Sequence, residues 1–504
     1  MIVRNPQTNP HLVATGARFQ GANLPRTSKG VRSAPSELTQ GGRTFTWVIG
    51  FLLLNMALAV VMKRVPSVAT LHALVTFAVG LWLCLSKNRP LQVAQWASYV
   101  VGAEVLWRMC KASIPWEFAK LSISLVCFVS ALRSDRFRSS WLPALYFVLL
   151  LPATTFSFVE LPFGEARQQV SFNLSGPCCL AVCALWFSSV QLTTAGFQRI
   201  GIMFLGPIAG VGLAIIFGLV GAEVEFSKNS NFVASGGYGP NQISSMLALG
   251  AVLAVFLHLG EKGSKLLRLG FAVLALWLLA QAALTFSRTG VYLFGASFGV
   301  AAAFLVQGRG GARRLILFIL VASALASAIL PMLNGFTGGT LAERFDDKGV
   351  TGRDTIANAE LALWLDKPVF GNGVGMSEYY RGLAGDGRPA HTEYTRLLAE
   401  HGLLGLTALA ILIYITMQAL RNARGSWSKA IVSGLAVWAF LFMAVTAMRL
   451  AAPAFLLGLI HARFLTPDRA EQIARRSRGL RQAFRAQPHP GSPELFRRLA
   501  ANRH

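Results

Sequence analysis

The sequence predicts an all-α fold, a polytopic transmembrane helical bundle of about 14 spans with one large external loop that contains short amphipathic helices. Of the 504 residues, 54% are hydrophobic and only 14% are charged, whereas about a quarter of the residues in a soluble domain carry a charge. The apolar residues come in long blocks, many of which reach the roughly 17–25 residues that cross a bilayer. This composition excludes a soluble enzyme, a secreted disulfide scaffold and a disordered chain.

The chain divides into a bundle between two polar tails. Residues 1–44 are predicted to be a disordered basic cytoplasmic tail, and residues 464–504 an Arg-rich cytoplasmic tail. A transmembrane bundle of about 11 spans occupies 45–333, and C-terminal spans occupy 403–463. The predicted spans are 45–62, 66–86, 91–110, 114–132, 141–159, 173–195, 199–220, 239–258, 265–285, 290–307, 313–333, 403–420, 430–448 and 450–463.

The charge distribution orients these spans. Lys and Arg number 47 against 22 Asp and Glu, a net charge of +25, which in a soluble protein would indicate nucleic acid. Here most of the excess lies in loops and tails, as the positive-inside rule expects, so no nucleic-acid partner is predicted. The rule places both termini in the cytoplasm. It places the acidic stretch with Glu223 and Glu225, and the segment 334–402, outside.

The segment 334–402 is the long external loop. Structureless loops of this length are uncommon unless they serve a function. Thr351–Asp354 has the form of a helix-capping box, and apolar residues follow at helical spacing. They predict an amphipathic helix on the outer membrane surface that ends before Pro368; its apolar residues are Ile356, Ala359, Leu363 and Trp364.

Gly371–Ser377 is rich in glycine and superficially resembles a phosphate-binding loop. A dinucleotide site needs a buried strand before such a loop and a helix after it, which a loop between membrane spans does not provide. We therefore exclude nucleotide binding. The glycines are expected to allow tight turns or close backbone approach.

Polar residues at the outer face are the candidates for chemistry. His391, at the end of the loop, has a side chain of near-neutral pKa that suits a general base; alternatively it begins a helix at the interface. Arg288 and Arg167 flank spans on the side where arginine is disfavoured. They could bind phosphate or extend towards lipid phosphates. Asn241, at the start of another span, adds a polar group to this face.

Glu104 and Arg108 lie four residues apart inside a predicted span and could pair. Charges within a membrane are functional candidates by default, although a structural ion pair is at least as well supported. A transporter or flippase is the rival interpretation, but it predicts polar residues near the midplane and related halves. No such symmetry is visible. The six cysteines lie in or beside apolar segments, which supports neither a disulfide framework nor a zinc site.

Three motifs, in this order, resemble the O-antigen ligase and O-antigen polymerase family of bacterial membrane glycan transferases. They are Ser287-Arg-Thr-Gly290, Gly352-Arg353 followed by Pro368–Gly375, and His391-Thr-Glu-Tyr394 with Glu400–Gly405. Two further segments resemble those of members linked to exopolysaccharide synthesis, and this favours a polymerase over a ligase. They are Phe172–Pro177 and Gly239–Gln242.

The resemblance implies an inverting, metal-independent transferase without a cofactor in the bacterial inner membrane, acting on its periplasmic side. The donor would be a polyprenyl-diphosphate-linked oligosaccharide, and the acceptor a glycan or lipid with a free sugar hydroxyl; membrane lipids and polysaccharide-assembly proteins are the other expected partners. His391 would be the base, and Arg288 and Arg167 would hold the leaving diphosphate. The expected substrate-binding residues are Arg353, Asn241 and Glu400. One departure is that Thr392 follows His391 where the family usually has Asn.

Overall fold

The computed structural model describes residues 37–86, 88–134, 140–219, 230–260, 264–308, 311–346, 353–385, 387 and 390–465. This part of the chain is almost entirely α-helical. The first nine helices are α1 (Glu37–Arg64), α2 (Pro66–Leu85), α3 (Pro90–Met109), α4 (Phe118–Leu132), α5 (Leu142–Val148), α6 (Thr154–Glu160), α7 (Phe163–Phe187), α8 (Thr194–Leu219) and α9 (Pro240–Gly260).

A two-residue parallel strand pair, β1 (Gln191–Leu192) with β2 (Arg463–Phe464), accompanies the helices. The remaining helices are α10 (Lys265–Leu284), α11 (Arg288–Leu305), α12 (Gly311–Phe336), α13 (Thr340–Asp346), α14 (Arg353–Asp366), α15 (Met376–Leu383), α16 (Glu393–Asn422), α17 (Gly425–Thr446) and α18 (Ala451–Leu459).

Within the described ranges, ten helices are long and apolar enough to cross a membrane. They are α1, α2, α7, α8, α9, α10, α11, α12, α16 and α17. The all-helical multi-pass fold is thus confirmed, while the predicted number of about 14 spans is not. The difference lies in four of the predicted spans, whose α-helices are too short or not apolar enough to be counted among these ten.

One break and one early helix end account for two of these four differences. The predicted span 141–159 is two seven-residue helices, α5 and α6, and Pro152 lies in the break between them, where it lacks the N–H that a helix needs. The predicted span 450–463 is the nine-residue α18, which is entirely buried. The other two spans correspond to α3, which carries Glu104 and Arg108, and to the 15-residue α4.

The centre of the bundle is formed by α8 and α9, whose side chains are mostly buried, whereas α1, α2 and α12 leave theirs mostly exposed. Glycines let the central helices approach closely, as is common between membrane helices. A Cβ at Gly102 of α3 would lie 2.6 Å from the Phe204 carbonyl oxygen, and one at Gly250 of α9 would lie 2.8 Å from Ile208. The core therefore depends on small residues as well as on hydrophobic ones.

The turn between α17 and α18 is irregular backbone inside the bundle. Ala447 has a φ of 52°, a left-handed value that is unfavourable for a residue with a Cβ. Polar side chains hold this turn: Glu104 accepts a hydrogen bond from the Ala451 amide at 2.7 Å, and Arg108 donates to the Arg449 carbonyl at 3.2 Å. Glu104 and Arg108 also pair with each other at 2.6 Å. Their contacts are those of a structural ion pair that supplies hydrogen bonds to the backbone N–H and C=O groups of this turn.

The strand pair ties the beginning of the C-terminal segment to the turn between α7 and α8. Arg463 donates its amide to the Val190 carbonyl at 2.9 Å. These two segments lie at the same end of the bundle, as the predicted topology requires. The C-terminal tail from residue 466, Glu223, Glu225 and the Thr351 cap lie outside the described residues; so does most of the N-terminal tail, although α1 begins at Glu37, before the predicted span.

Candidate active site

His391 lies directly before α16, and contacts from the α17–α18 turn hold its backbone. The Ala447 amide donates to the His391 carbonyl at 3.2 Å, and the Arg449 guanidinium donates to the neighbouring Ala390 carbonyl at 2.6 Å. The His391 side chain is half-buried. Thr392, at the position where the family usually has Asn, is the N-cap of α16: its hydroxyl accepts from the Tyr394 amide at 3.3 Å. Thr392 thus orders the helix start that follows the histidine.

Behind His391, the first turns of α16 contain a buried ion network of Glu393, Arg396 and Glu400. Arg396 contacts the Glu393 carboxylate at 2.5 Å and the Glu400 carboxylate at 2.7 Å. The second Glu400 oxygen accepts from the Ser377 hydroxyl at 2.9 Å. We call these three charged residues the α16 ion network. Both Glu400 oxygens are therefore bonded, and Glu400 also lines a small cavity together with Glu378 and Ala390, the residue before His391. Its predicted contact with substrate stays a prediction.

The glycine-rich segment 371–377 wraps around this network, and the prediction of close backbone approach is confirmed. Gly371, Gly373 and Gly375 all have positive φ, at 73°, 107° and 77°. A Cβ at Gly371 would lie 2.3 Å from the Glu400 carbonyl carbon, and one at Gly375 would lie 2.5 Å from the Gln169 side chain. Only glycine combines this φ with this clearance.

α14 is present where the amphipathic helix was predicted and ends at Asp366, before Pro368. Its buried face packs against α16, and the group buried most completely there is a carboxylate, Glu360. Glu360 pairs with Arg381 of α15 at 2.8 Å and accepts a hydrogen bond from Thr395 of α16. Burial raises the pKa of Glu360 to about 7. α14 is thus docked on the bundle through a polar contact, which the apolar spacing alone did not predict.

A second group of charges surrounds the start of α11. Arg288 is the first residue of α11, and Arg344 of α13 donates to the carbonyl of Phe286, two residues before it, at 3.0 Å. Arg353 begins α14; burial, and then the charges of Arg288 and Arg344, lower its pKa. We call these three residues the arginine cluster. Like charges brought together at a helix N-terminus are well placed to bind an anion.

Asn241 lies beside this cluster. Its side-chain oxygen accepts a hydrogen bond from the Ser287 hydroxyl at 2.7 Å, next to Arg288. Close packing of α11 on α9 brings them together, because a Cβ at Gly290 would lie 2.2 Å from the Ser244 hydroxyl oxygen. The structure therefore joins the predicted residues Arg288, Arg353 and Asn241 in one place, and adds Arg344, which the motifs did not indicate.

A groove of about 660 Å³ is lined in part by α11 and α13, the helices that carry Arg288 and Arg344. Its lining includes Val291, which lies one turn after Arg288. It also includes Leu341 and Phe345, which lie three residues before and one residue after Arg344. The rest of the wall comes from α10 and α12 and is almost entirely apolar. An apolar groove formed by helices that also carry grouped arginines matches an amphiphile with a hydrocarbon tail and an anionic head.

The arginine cluster and His391 lie at the same end of the bundle. α14 links them, because Arg353 opens this helix and Glu360, two turns later, contacts Thr395, one turn after His391. Arg167 is exposed in the first turns of α7, near Gln169, which packs on Gly375. Arg167 therefore lies in the helix turn next to the glycine-rich segment. In the part of the chain that is described, no group of three His, Cys, Asp or Glu side chains could hold a metal ion.

Residues 273–410 match the protein family described as O-antigen ligase. The match extends from α10 into α16 and contains the arginine cluster, the glycine-rich segment and His391. It confirms the family resemblance expected from the motifs in these residues. No match to the chain is found among curated proteins. The ten apolar helices indicate a multi-pass membrane protein, and the match shows that its segment 273–410 is similar to the O-antigen ligase family.

Proposed function

We propose that this protein transfers a glycan from a polyprenyl-diphosphate donor to a sugar hydroxyl during the synthesis of a bacterial surface polysaccharide. In this proposal it resides in the inner membrane with both termini in the cytoplasm, and the end that bears His391 faces the periplasm. A polymerase, whose acceptor is another saccharide of the same kind, is favoured over a ligase. That preference depends on the segments Phe172–Pro177 and Gly239–Gln242, which resemble those of exopolysaccharide-linked members.

The observation that carries the proposal is the arginine cluster at the end of the apolar groove. A polyprenyl diphosphate has a long hydrocarbon tail and a doubly phosphorylated head, and the groove and the cluster complement these two parts. Guanidinium groups make bidentate, permanently charged contacts with phosphate oxygens. The donor would enter laterally from the bilayer between α10 and α12, with its diphosphate at Arg288, Arg344 and Arg353.

The proposed chemistry is a single displacement at the anomeric carbon. The imidazole of His391 takes the proton of the acceptor hydroxyl as its oxygen bonds to this carbon from the face opposite the diphosphate. The bond between the anomeric carbon and the diphosphate oxygen breaks, its electron pair leaves with the diphosphate, and the configuration inverts. The arginine cluster stabilises the charge that develops on the leaving group, a term that is often the largest in catalysis. The general base adds about 10²–10⁴-fold.

A transporter or flippase receives no specific support from the contacts described. Glu104 and Arg108, its best candidates in the sequence, bind each other and the backbone of the α17–α18 turn. Both side chains are largely buried. Their role in holding that turn accounts for their presence within the bundle.

The test is glycan transfer by the purified full-length protein in detergent, with a lipid-diphosphate-linked oligosaccharide and EDTA. We expect transfer by the wild type, and a loss of at least about 100-fold in His391→Ala and Arg288→Ala with unchanged thermal unfolding. Asp366→Asn, an exposed change at the end of α14, is the matched control. Longer products from the donor alone would identify a polymerase, and transfer only to an added core lipid or protein a ligase. Full activity in both variants would disprove the site.

A further inference from the structure

A pocket of about 290 Å³ lies between the end of α3 and the start of α4. Its lining combines aromatic, charged and small side chains: Trp107, Arg108, Lys111, Pro115 and Trp116 contribute to it. This volume is at the lower end of the range for small-molecule sites, which suits one sugar ring. We call it the Trp116 pocket. No residue of it belongs to the segment that matches the ligase family.

Trp116 is the distinctive residue of this pocket. Its side chain is 56% exposed, yet neighbouring groups hold its ring in place. The Arg108 guanidinium lies 4.6 Å from the ring centroid, and the Tyr238 ring stacks on it at 6.1 Å. An exposed indole with a defined orientation offers a flat apolar surface, and the C–H face of a pyranose packs on such a surface while its hydroxyls find polar partners.

The Trp116 pocket is connected to His391 by two arginines. Arg108 donates to the Trp116 carbonyl at 2.8 Å and to the Arg449 carbonyl at 3.2 Å. Arg449 in turn donates to the carbonyl of Ala390, the residue before His391, at 2.6 Å. These contacts place the Trp116 pocket two arginine side chains away from the backbone of the residue that precedes His391.

The charges of the pocket favour a saccharide without a diphosphate. Arg108 is neutralised by Glu104 at 2.6 Å, so the pocket lacks the grouped positive charge of the arginine cluster. Glu104 and Lys111 also make it a poor site for an acyl chain, because desolvating charged groups against hydrocarbon is costly. The surface suits a hydroxyl-rich ligand.

We propose that the Trp116 pocket binds a sugar unit of the acceptor glycan and directs a hydroxyl of that glycan to His391. This inference rests on the proposed function, since it assigns the second substrate of the same site. Trp116 is a binding residue for the acceptor and takes no part in the bond changes.

The first experiment measures saccharide binding to the full-length protein in nanodiscs by saturation-transfer NMR, with cellotetraose and chitotetraose as uncharged probes. We expect binding by the wild type and about tenfold weaker binding by Trp116→Ala, because an aromatic contact of ~1.4 kcal/mol corresponds to a factor of ten. Trp116→Tyr should retain most of the affinity. Trp141→Ala is the matched control, since Trp141 is also exposed, at 67%, and lies outside this pocket.

The second experiment separates this inference from the proposed function. In the transfer assay, Trp116→Ala should raise the KM for a free oligosaccharide acceptor about tenfold while leaving the donor KM and the saturated rate unchanged. Absence of transfer by the wild type would refute the proposed function, and saccharide binding would still decide the pocket. Three results would overturn the inference: binding of neither probe, equal binding by Trp116→Ala and Trp141→Ala, or an effect of Trp116→Ala only on membrane retention. The last result would make Trp116 a lipid anchor.

Discussion

The arginine cluster and the α16 ion network lie at the same end of the bundle and use arginine in opposite ways. Arg396 is buried between two carboxylates at 2.5 and 2.7 Å. Arg353 instead lies near Arg288 and Arg344, whose charges lower its pKa, after the larger effect of burial. In the α16 ion network the arginine lies between two carboxylates, whereas the arginine cluster brings three positive charges near one another, an arrangement that suits an anionic ligand. Charge alone therefore does not mark a substrate-binding arginine; its neighbours do.

Removing Arg396 should have the largest effect on stability. Arg396→Met leaves Glu393 and Glu400 buried without their shared partner, and breaking a buried pair costs about 3–5 kcal/mol. The measurement is the unfolding free energy in mixed micelles. Arg167→Met, at an exposed position of α7, is the control and should change it by less than ~0.5 kcal/mol. Equal losses in both variants would mean that the α16 ion network is not a structural unit.

The glycine-rich segment around the network should tolerate no Cβ at Gly371. Gly371→Ala places a methyl group 2.3 Å from the Glu400 carbonyl carbon, at a φ of 73°, and we expect a loss of about 2–4 kcal/mol from the strained φ and the clash. Gly385→Ala is the matched control, with a φ of 91° and nothing within 4 Å of the added Cβ. It should lose only the ~1–2 kcal/mol of the left-handed conformation. The difference between the two losses isolates the contact with Glu400, and no difference would show that Glu400 is not enclosed.

The Glu360 contact between α14 and α16 should depend on pH. Its folded pKa, about 7, lies above the ordinary value of 4.5, so the folded state holds the proton more tightly. The resulting stabilisation is complete below pH 4.5 and is lost as the pH rises through about 7. The Gln side chain of Glu360→Gln does not titrate. Relative to this variant, the free energy of unfolding of the wild type should fall by ~2 kcal/mol between pH 5 and 8. Thermal unfolding of both proteins across this range is the measurement, and a constant difference would contradict the raised pKa.

The smallest effect should come from an inorganic anion at the arginine cluster. Pyrophosphate at about ten times its Kd should stabilise the wild type by ~1.4 kcal/mol, and the stabilisation should disappear in Arg353→Gln. Arg167→Gln should respond like the wild type, because Arg167 is on α7 and not on the helices that carry the cluster; loss of the response there would support the diphosphate role predicted for Arg167 from the sequence. Thermal shift in detergent measures all three proteins. A response retained in Arg353→Gln would remove this residue from the proposed donor site.

Local patterns predicted much of the site. Pro368 ends the segment that contains α14, the glycines of 371–377 allow the close approach expected of them, and Arg288, Arg353 and Asn241 come together. The prediction that did not match concerns helix continuity. The segment 141–159 is apolar throughout, but its helix is broken near Pro152. Hydropathy reports that a segment is apolar, and it does not report whether the helix continues.

The sequence by itself determined that this protein is a multi-pass helical membrane protein, because the length and apolarity of the spans are local properties that the bilayer imposes. It also determined the family resemblance, because the motifs are contiguous. Only the tertiary structure decided that Arg344 joins Arg288 and Arg353, that Glu360 pairs with Arg381, and that Arg449 contacts the backbone beside His391. Those outcomes depend on residues far apart in the chain, and only helix packing brings them close together.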